Sequence, residues 1–87
     1  MRAQDVSEFV RKRPFEPFRI MLTNGITYDV VHPDLVMVGH WAITIGLPRP
    51  NGPQTIYDRV VTVSLLHVMQ IEPLPPGGQS ANGAKES

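Results

Sequence analysis

The chain contains no cysteine. That excludes a disulfide framework and any thiolate-based metal site. Neither sign of charge dominates, because eight basic residues balance eight acidic ones and the formal net charge is zero. No global field therefore draws the protein towards nucleic acid or an anionic membrane. No apolar run reaches membrane-spanning length, and the opening MRAQDVSEFVRKR lacks the apolar stretch of a signal peptide. A cytoplasmic location is the resulting expectation. The sequence has no internal repeat, and its Gly77-Gly78 pair sits in the tail rather than in a phosphate-binding loop. The 87 residues make one domain. A Pro/Gly-rich end leaves only about seventy residues to build a core, and so small a core gains from burial against other subunits.

What is present centres on Phe18 to Val31, FRIMLTNGITYDVV. Phe18, Ile20 and Leu22 alternate with Arg19, Met21 and Thr23, and beyond Asn24-Gly25 the residues Ile26, Tyr28 and Val30 alternate with Thr27 and Asp29. This is the period of two strands, each with one buried face. A two-residue Asn-Gly loop would set Ile20 against Asp29 and Leu22 against Thr27, mixing polar groups into the core. A three-residue loop, Thr23-Asn24-Gly25, instead matches Leu22 with Ile26, Ile20 with Tyr28 and Phe18 with Val30. It also sets Arg19 across from Asp29 on the outer, wet face. Gly25 then takes the left-handed position such a loop requires. A one-residue slip would turn every apolar side chain outward, so the bulged turn is expected.

Before the hairpin, Val6, Phe9 and Val10 share one face of a helix over residues 4–12, with Asp5 and Glu8 at capping-box spacing. Pro14 ends it. Arg11, Lys12 and Arg13 fall at its C-terminus, where they offset the macrodipole or, alternatively, form a phosphate-binding patch. After the hairpin, His32-Pro33-Asp34 makes a corner, and Leu35–Val38 and Trp41–Leu47 form a second hairpin around Gly39-His40. That turn matches Val38 with Trp41 and Val36 with Ile43, and makes Trp41, the single tryptophan, a core anchor rather than a ligand platform. Pro48 to Gln54 carries three prolines and is an exposed loop. Thr55 to Ser64 is the longest strand, with its phase disturbed near Asp58-Arg59 by a twist or bulge. Leu65 to His67 is a tight turn, and Val68 to Glu72 a last strand. Residues 1–74 thus form the domain, and residues 75–87 read as a disordered tail. One helix and five or six short antiparallel strands joined by tight turns imply a mainly β fold, strongly bent or closed into a small barrel.

Ile20-Met21-Leu22-Thr23-Asn24-Gly25, preceded by a helix, resembles the first motif of the Sm-like domain, the family of the spliceosomal Sm proteins and the bacterial RNA-chaperone host factor. Asp34-Leu35-Val36-Met37 is similar to that family's Asp-x-x-[Met/Asn] element, two residues nearer the glycine. Val63 to Val68 resembles the strand, turn and strand of its second motif. The chain also resembles a group of short bacterial proteins sharing PF-x-PF-x-I, an Asp/Asn-Gly turn and a His-Pro corner, a likeness that brings no activity with it. The Sm likeness implies an Sm-like or SH3-like barrel and a cyclic homo-oligomer joined by strand pairing. The departures fall on the RNA tools. The family's second glycine is Val30 here, its base-stacking side chain falls near Val36, and its neighbouring asparagine is Val38. The basic pair of the second motif falls on Ser64-Leu65 or Leu66-His67.

A non-catalytic binding or assembly module is therefore the leading expectation, self-associating through strand edges. The alternative is an RNA-binding ring carried by Arg11, Lys12, Arg13, Arg19, His32, Arg49 and His67. His32, His40 and His67 are the residues suited to acid–base work near neutrality, but no pair has the spacing of a metal-ligand motif. Ser64 lacks a nucleophile elbow despite nearby His67. No enzyme activity, metal, cofactor or small-molecule substrate is expected.

Overall fold

The computed structural model describes residues 1–74 together with Ala84–Lys85. Helix α1 spans Ala3–Arg11 and is followed by β1 (Phe18–Leu22), β2 (Ile26–Val30), β3 (Val36–Val38), β4 (Ala42–Pro48), β5 (Tyr57–Ser64), β6 (Val68–Pro73) and the short β7 (Ala84–Lys85). Single 3₁₀ turns, Pro33–Leu35 and Leu65–His67, precede β3 and β6. The fold is mainly β. The strands form two antiparallel sheets, in the orders β6-β1-β2-β7 and β3-β4-β5, and among the described residues their hydrogen bonds do not close a barrel. Of the expected disordered tail, only Ala84–Lys85, paired with Ile26 and Thr27, lies within the described residues.

The helix begins one residue earlier than its spacing suggests, and this changes the role of Asp5. Arg2 takes the N-cap position and Asp5 stands at N3. There its carboxylate accepts the Arg2 backbone N–H at 3.2 Å and the Arg2 guanidinium at 3.4 Å. That is the returning half of a capping box, and Glu8 takes no part in it. Ala3, a good helix former, extends the helix backwards by one residue once Asp5 satisfies that donor. Val6 is fully buried, and the Phe9 and Phe15 rings lie 5.4 and 5.9 Å from the Phe18 ring. At the other end Arg13 Nη1 donates to the carbonyls of Val10 (2.8 Å) and Lys12 (2.9 Å), satisfying acceptors that the helix leaves open.

The first hairpin has the bulged register. Phe18 pairs with Val30, Arg19 with Asp29 and Ile20 with Tyr28, and the strands are separated by Thr23, Asn24 and Gly25. Gly25 has φ 88° and donates its N–H to Leu22 at 3.0 Å, while Asn24 Oδ1 accepts from the Ile26 N–H at 3.0 Å. One expectation fails here: Thr27 and Asp29 are fully buried, not solvent-facing. Alternation reports which residues are polar, and it cannot tell a wet face from a covered one whose polar groups are paired.

The second hairpin keeps its strands but not its register. Val36 pairs with Ile45 and Val38 with Ile43, and Gly39 N–H donates to the Ala42 carbonyl at 2.8 Å. The loop is therefore His40-Trp41, one residue later than Gly39-His40. Both registers set apolar residues against apolar ones, so the pattern alone is degenerate. Close approach decides between them: a Cβ on Gly39 would lie 2.9 Å from the Ala42 carbonyl oxygen. Trp41 consequently stands on the turn, 78% exposed, and is not a core anchor.

Between β4 and β5 the register shifts where Leu47 faces Arg59 and Pro48 faces Tyr57. Asp58 is the extra residue, and the disturbed phase at Asp58-Arg59 is a β-bulge. Phe18, Ile20, Leu22 and Val30 of one sheet meet Ile43, Ile45, Leu47 and Val63 of the other in a single core that Val6, Leu65 and Val68 complete.

Candidate functional site

Two features of the fold expose apolar surface where a partner can reach it. The first is the tip of the β3–β4 hairpin. The Leu65 N–H donates to the Trp41 carbonyl at 2.9 Å, which holds the hairpin tip against the Leu65–His67 turn. Ser64 Oγ accepts the Leu66 N–H at 3.2 Å and so caps that turn. Leu65 then points into the core, while Leu66 is 85% exposed beside Trp41. The His40 and Trp41 rings meet edge to face at 4.5 Å. Together with Met1 and Arg2 at the helix start, these residues bound a groove of about 370 Å³.

The second feature is the pair of outer sheet edges. β5 is the last strand of one sheet and β6 the last strand of the other, and among the described residues neither has a neighbour on its outer side. Tyr57 and Val60 on β5 and Met69 on β6 are exposed. Met37 of β3 joins Tyr57 and Val60 around a hollow of about 110 Å³ on the outer sheet face. Gly46 makes that surface possible, since a Cβ there would come within 3.0 Å of the Tyr57 Cβ.

The basic residues singled out from sequence are distributed over several elements, and most are engaged. Arg11 and Lys12 lie exposed at the end of α1, with Lys12 Nζ 2.8 Å from Glu16. Arg13 caps the helix through its guanidinium. Arg19 is held by Asp29 at 2.8 Å on β1, and Arg49 pairs with Asp58 at 3.2 Å across the proline loop. His32 Nδ1 accepts the Asp34 N–H at 3.1 Å, which fixes the corner before β3. His67 sits in the second 3₁₀ turn, where its carbonyl accepts the Thr23 N–H at 2.9 Å. Asn24 and Gly25 form the hairpin turn assigned to them. Among the described residues no three His, Asp or Glu side chains converge as metal ligands would. None of the described helices is long and apolar enough to cross a membrane.

Trp41 and Leu66 are the surface residues that periodicity misses. The signal for Trp41 lies in the glycine at 39, whose missing side chain moves the turn by one residue. Comparison with protein families, characterised proteins and solved structures finds no match for this chain.

Proposed function

We propose that the protein is a non-catalytic assembly module, a small bent β-barrel of Sm-like kind that self-associates in the cytoplasm by pairing strand edges. The observation that carries this reading is the outer edge of β5, eight residues long and open among the described residues, together with that of β6 on the other sheet. An unpaired edge presents a row of backbone donors and acceptors that another strand satisfies. When β5 of one copy meets β6 of the next, the contact is heterologous and closes into a ring if the rotation allows. Tyr57, Val60 and Met69 flank these edges and add apolar area to the contact.

Light scattering over a concentration series tests the proposal. A discrete multimer is expected, reduced to monomer when Val60→Lys and Met69→Lys place charge beside both edges. A wild-type chain that stays monomeric at high concentration removes the proposal.

A second reading, an RNA-binding ring, is favoured by one observation: the exposed Trp41 ring at a hairpin tip. An accessible indole is a stacking platform for an unpaired base. Arg2 at the helix start and His40 on the same hairpin tip line the groove beside it. Titration with oligo(U) and oligo(A), followed by Trp41 fluorescence at low and high salt, separates the readings. Quenching that weakens with salt supports RNA binding, and no change at low salt disposes of it.

A further inference from the structure

The sequence holds three Asn-Gly dipeptides: Asn24-Gly25, Asn51-Gly52 and Asn82-Gly83. The third lies outside the described residues. The other two share one chemistry but stand in opposite settings. Asn24 is locked: its side-chain oxygen accepts the Ile26 N–H at 3.0 Å, and paired strands enter and leave its turn. Asn51 is exposed in the loop between β4 and β5, and its side chain makes no hydrogen bond among the described residues. Its turn runs from Arg49 to Gly52, closed by one backbone bond of 3.1 Å, with Pro50 and Asn51 at the centre. Proline followed by a residue of positive φ is the order of a type II turn, which favours glycine at the second central place. Here asparagine occupies it, at φ 123°, where a Cβ is costly.

We infer that Asn51 is a site of spontaneous modification, at which the folded protein loses a side-chain amide and acquires an isoaspartyl or aspartyl linkage. The step balances with water as the only co-reactant. The Gly52 backbone nitrogen gives up its proton and attacks Asn51 Cγ. A Cγ–N bond forms, the Cγ–Nδ2 bond breaks, and ammonia leaves with the proton. Water then opens the resulting succinimide. Opening at the Asn51 main-chain carbonyl yields the isoaspartyl form, and opening at Cγ yields aspartate. Gly52 lets the nitrogen approach, because no side chain shields it. The isoaspartyl product lengthens the backbone by one atom and so releases the torsion that asparagine holds at a glycine-like angle. Either product adds a carboxylate to the loop that carries Arg49, the partner of Asp58.

Ageing the full chain in mildly alkaline buffer, with and without urea, tests the inference. A protease that cuts before aspartate puts Asn24, Asn51 and Asn82 on separate peptides, cutting at an aspartyl product but not at an isoaspartyl one. In the folded protein Asn51 is expected to convert roughly tenfold faster than Asn24, the factor that the extra hydrogen bond on Asn24 corresponds to. In urea the two rates should converge. The variant Asn51→Gln should abolish the change on that peptide alone. Equal rates for Asn24 and Asn51 in the folded chain would overturn the inference, as would an Asn51 that converts in urea and not in buffer.

Discussion

Arg19 and Asp29 face each other across the first hairpin, Arg19 Nε lying 2.8 Å from Asp29 Oδ1, and the aspartate is completely buried. A second contact at 3.4 Å joins Arg19 Nη2 to Asp29 Oδ2, so the guanidinium meets both carboxylate oxygens. The bidentate arrangement suits arginine and not lysine. A charge so placed tolerates its burial through its partners, and Arg19 is one of them. Arg19→Met is therefore expected to destabilise the fold by about 3–5 kcal/mol, read as a lower urea midpoint. Asp29→Leu combined with Arg19→Met should recover part of that loss, since the buried carboxylate is then removed together with the guanidinium it meets.

Among the described residues, two turn positions have backbone angles in the region that favours glycine, and they should respond in opposite directions. Gly25 at φ 88° already has the residue its turn needs. Gly25→Ala should cost about 1–2 kcal/mol. Asn51 at φ 123° does not have it. Asn51→Gly should raise stability by about 1 kcal/mol, with the gain visible in thermal unfolding. Equal signs for the two substitutions would contradict the backbone assignment.

Trp41 and Ile43 are neighbours but one residue type on the turn and one in the core. Trp41→Ala should change stability by less than about 0.5 kcal/mol, as surface substitutions do. Ile43→Ala should cost about 2–5 kcal/mol, because that side chain is fully enclosed. The emission of the wild-type tryptophan should be that of a solvated indole and should hardly shift on unfolding in urea.

The Asp5 carboxyl lies below its ordinary value of 3.8, first because it accepts the Arg2 backbone N–H, then because the Arg2 guanidinium donates to it. A lowered value in the fold means that its support for the helix start is complete above the ordinary value. That support is lost as pH falls through the lower folded one. Amides of the first turn of α1 should therefore lose protection, relative to their intrinsic exchange rates, in acid before the core opens. Asp5→Asn should remove this pH dependence, as followed by NMR on the Val6 amide.

The first hairpin was legible from the residues themselves. Its two apolar sets permit one register without burying polar groups opposite them, and Gly25 permits the loop that register needs. The helix face was legible for the same reason, since Val6, Phe9 and Val10 coincide at only one periodicity. The bulge at Asp58 also announced itself, because an extra residue breaks a two-fold pattern. The second hairpin was not legible to the same degree. Shifting its turn by one residue leaves apolar side chains against apolar ones, so hydrophobic matching gives no preference.

What the sequence by itself determined is thus the strands β1 to β6, the helix and the bulged turn, because each rests on contacts between near neighbours in the chain. What only the tertiary structure decided is exposure: that Asp29 is enclosed with Arg19, that Trp41 and Leu66 stand side by side on the surface, and that β5 and β6 end their sheets. The physical reason is that periodicity assigns a side chain to one of two faces. Which of those faces water reaches depends on segments distant in sequence, and a local pattern carries no record of them.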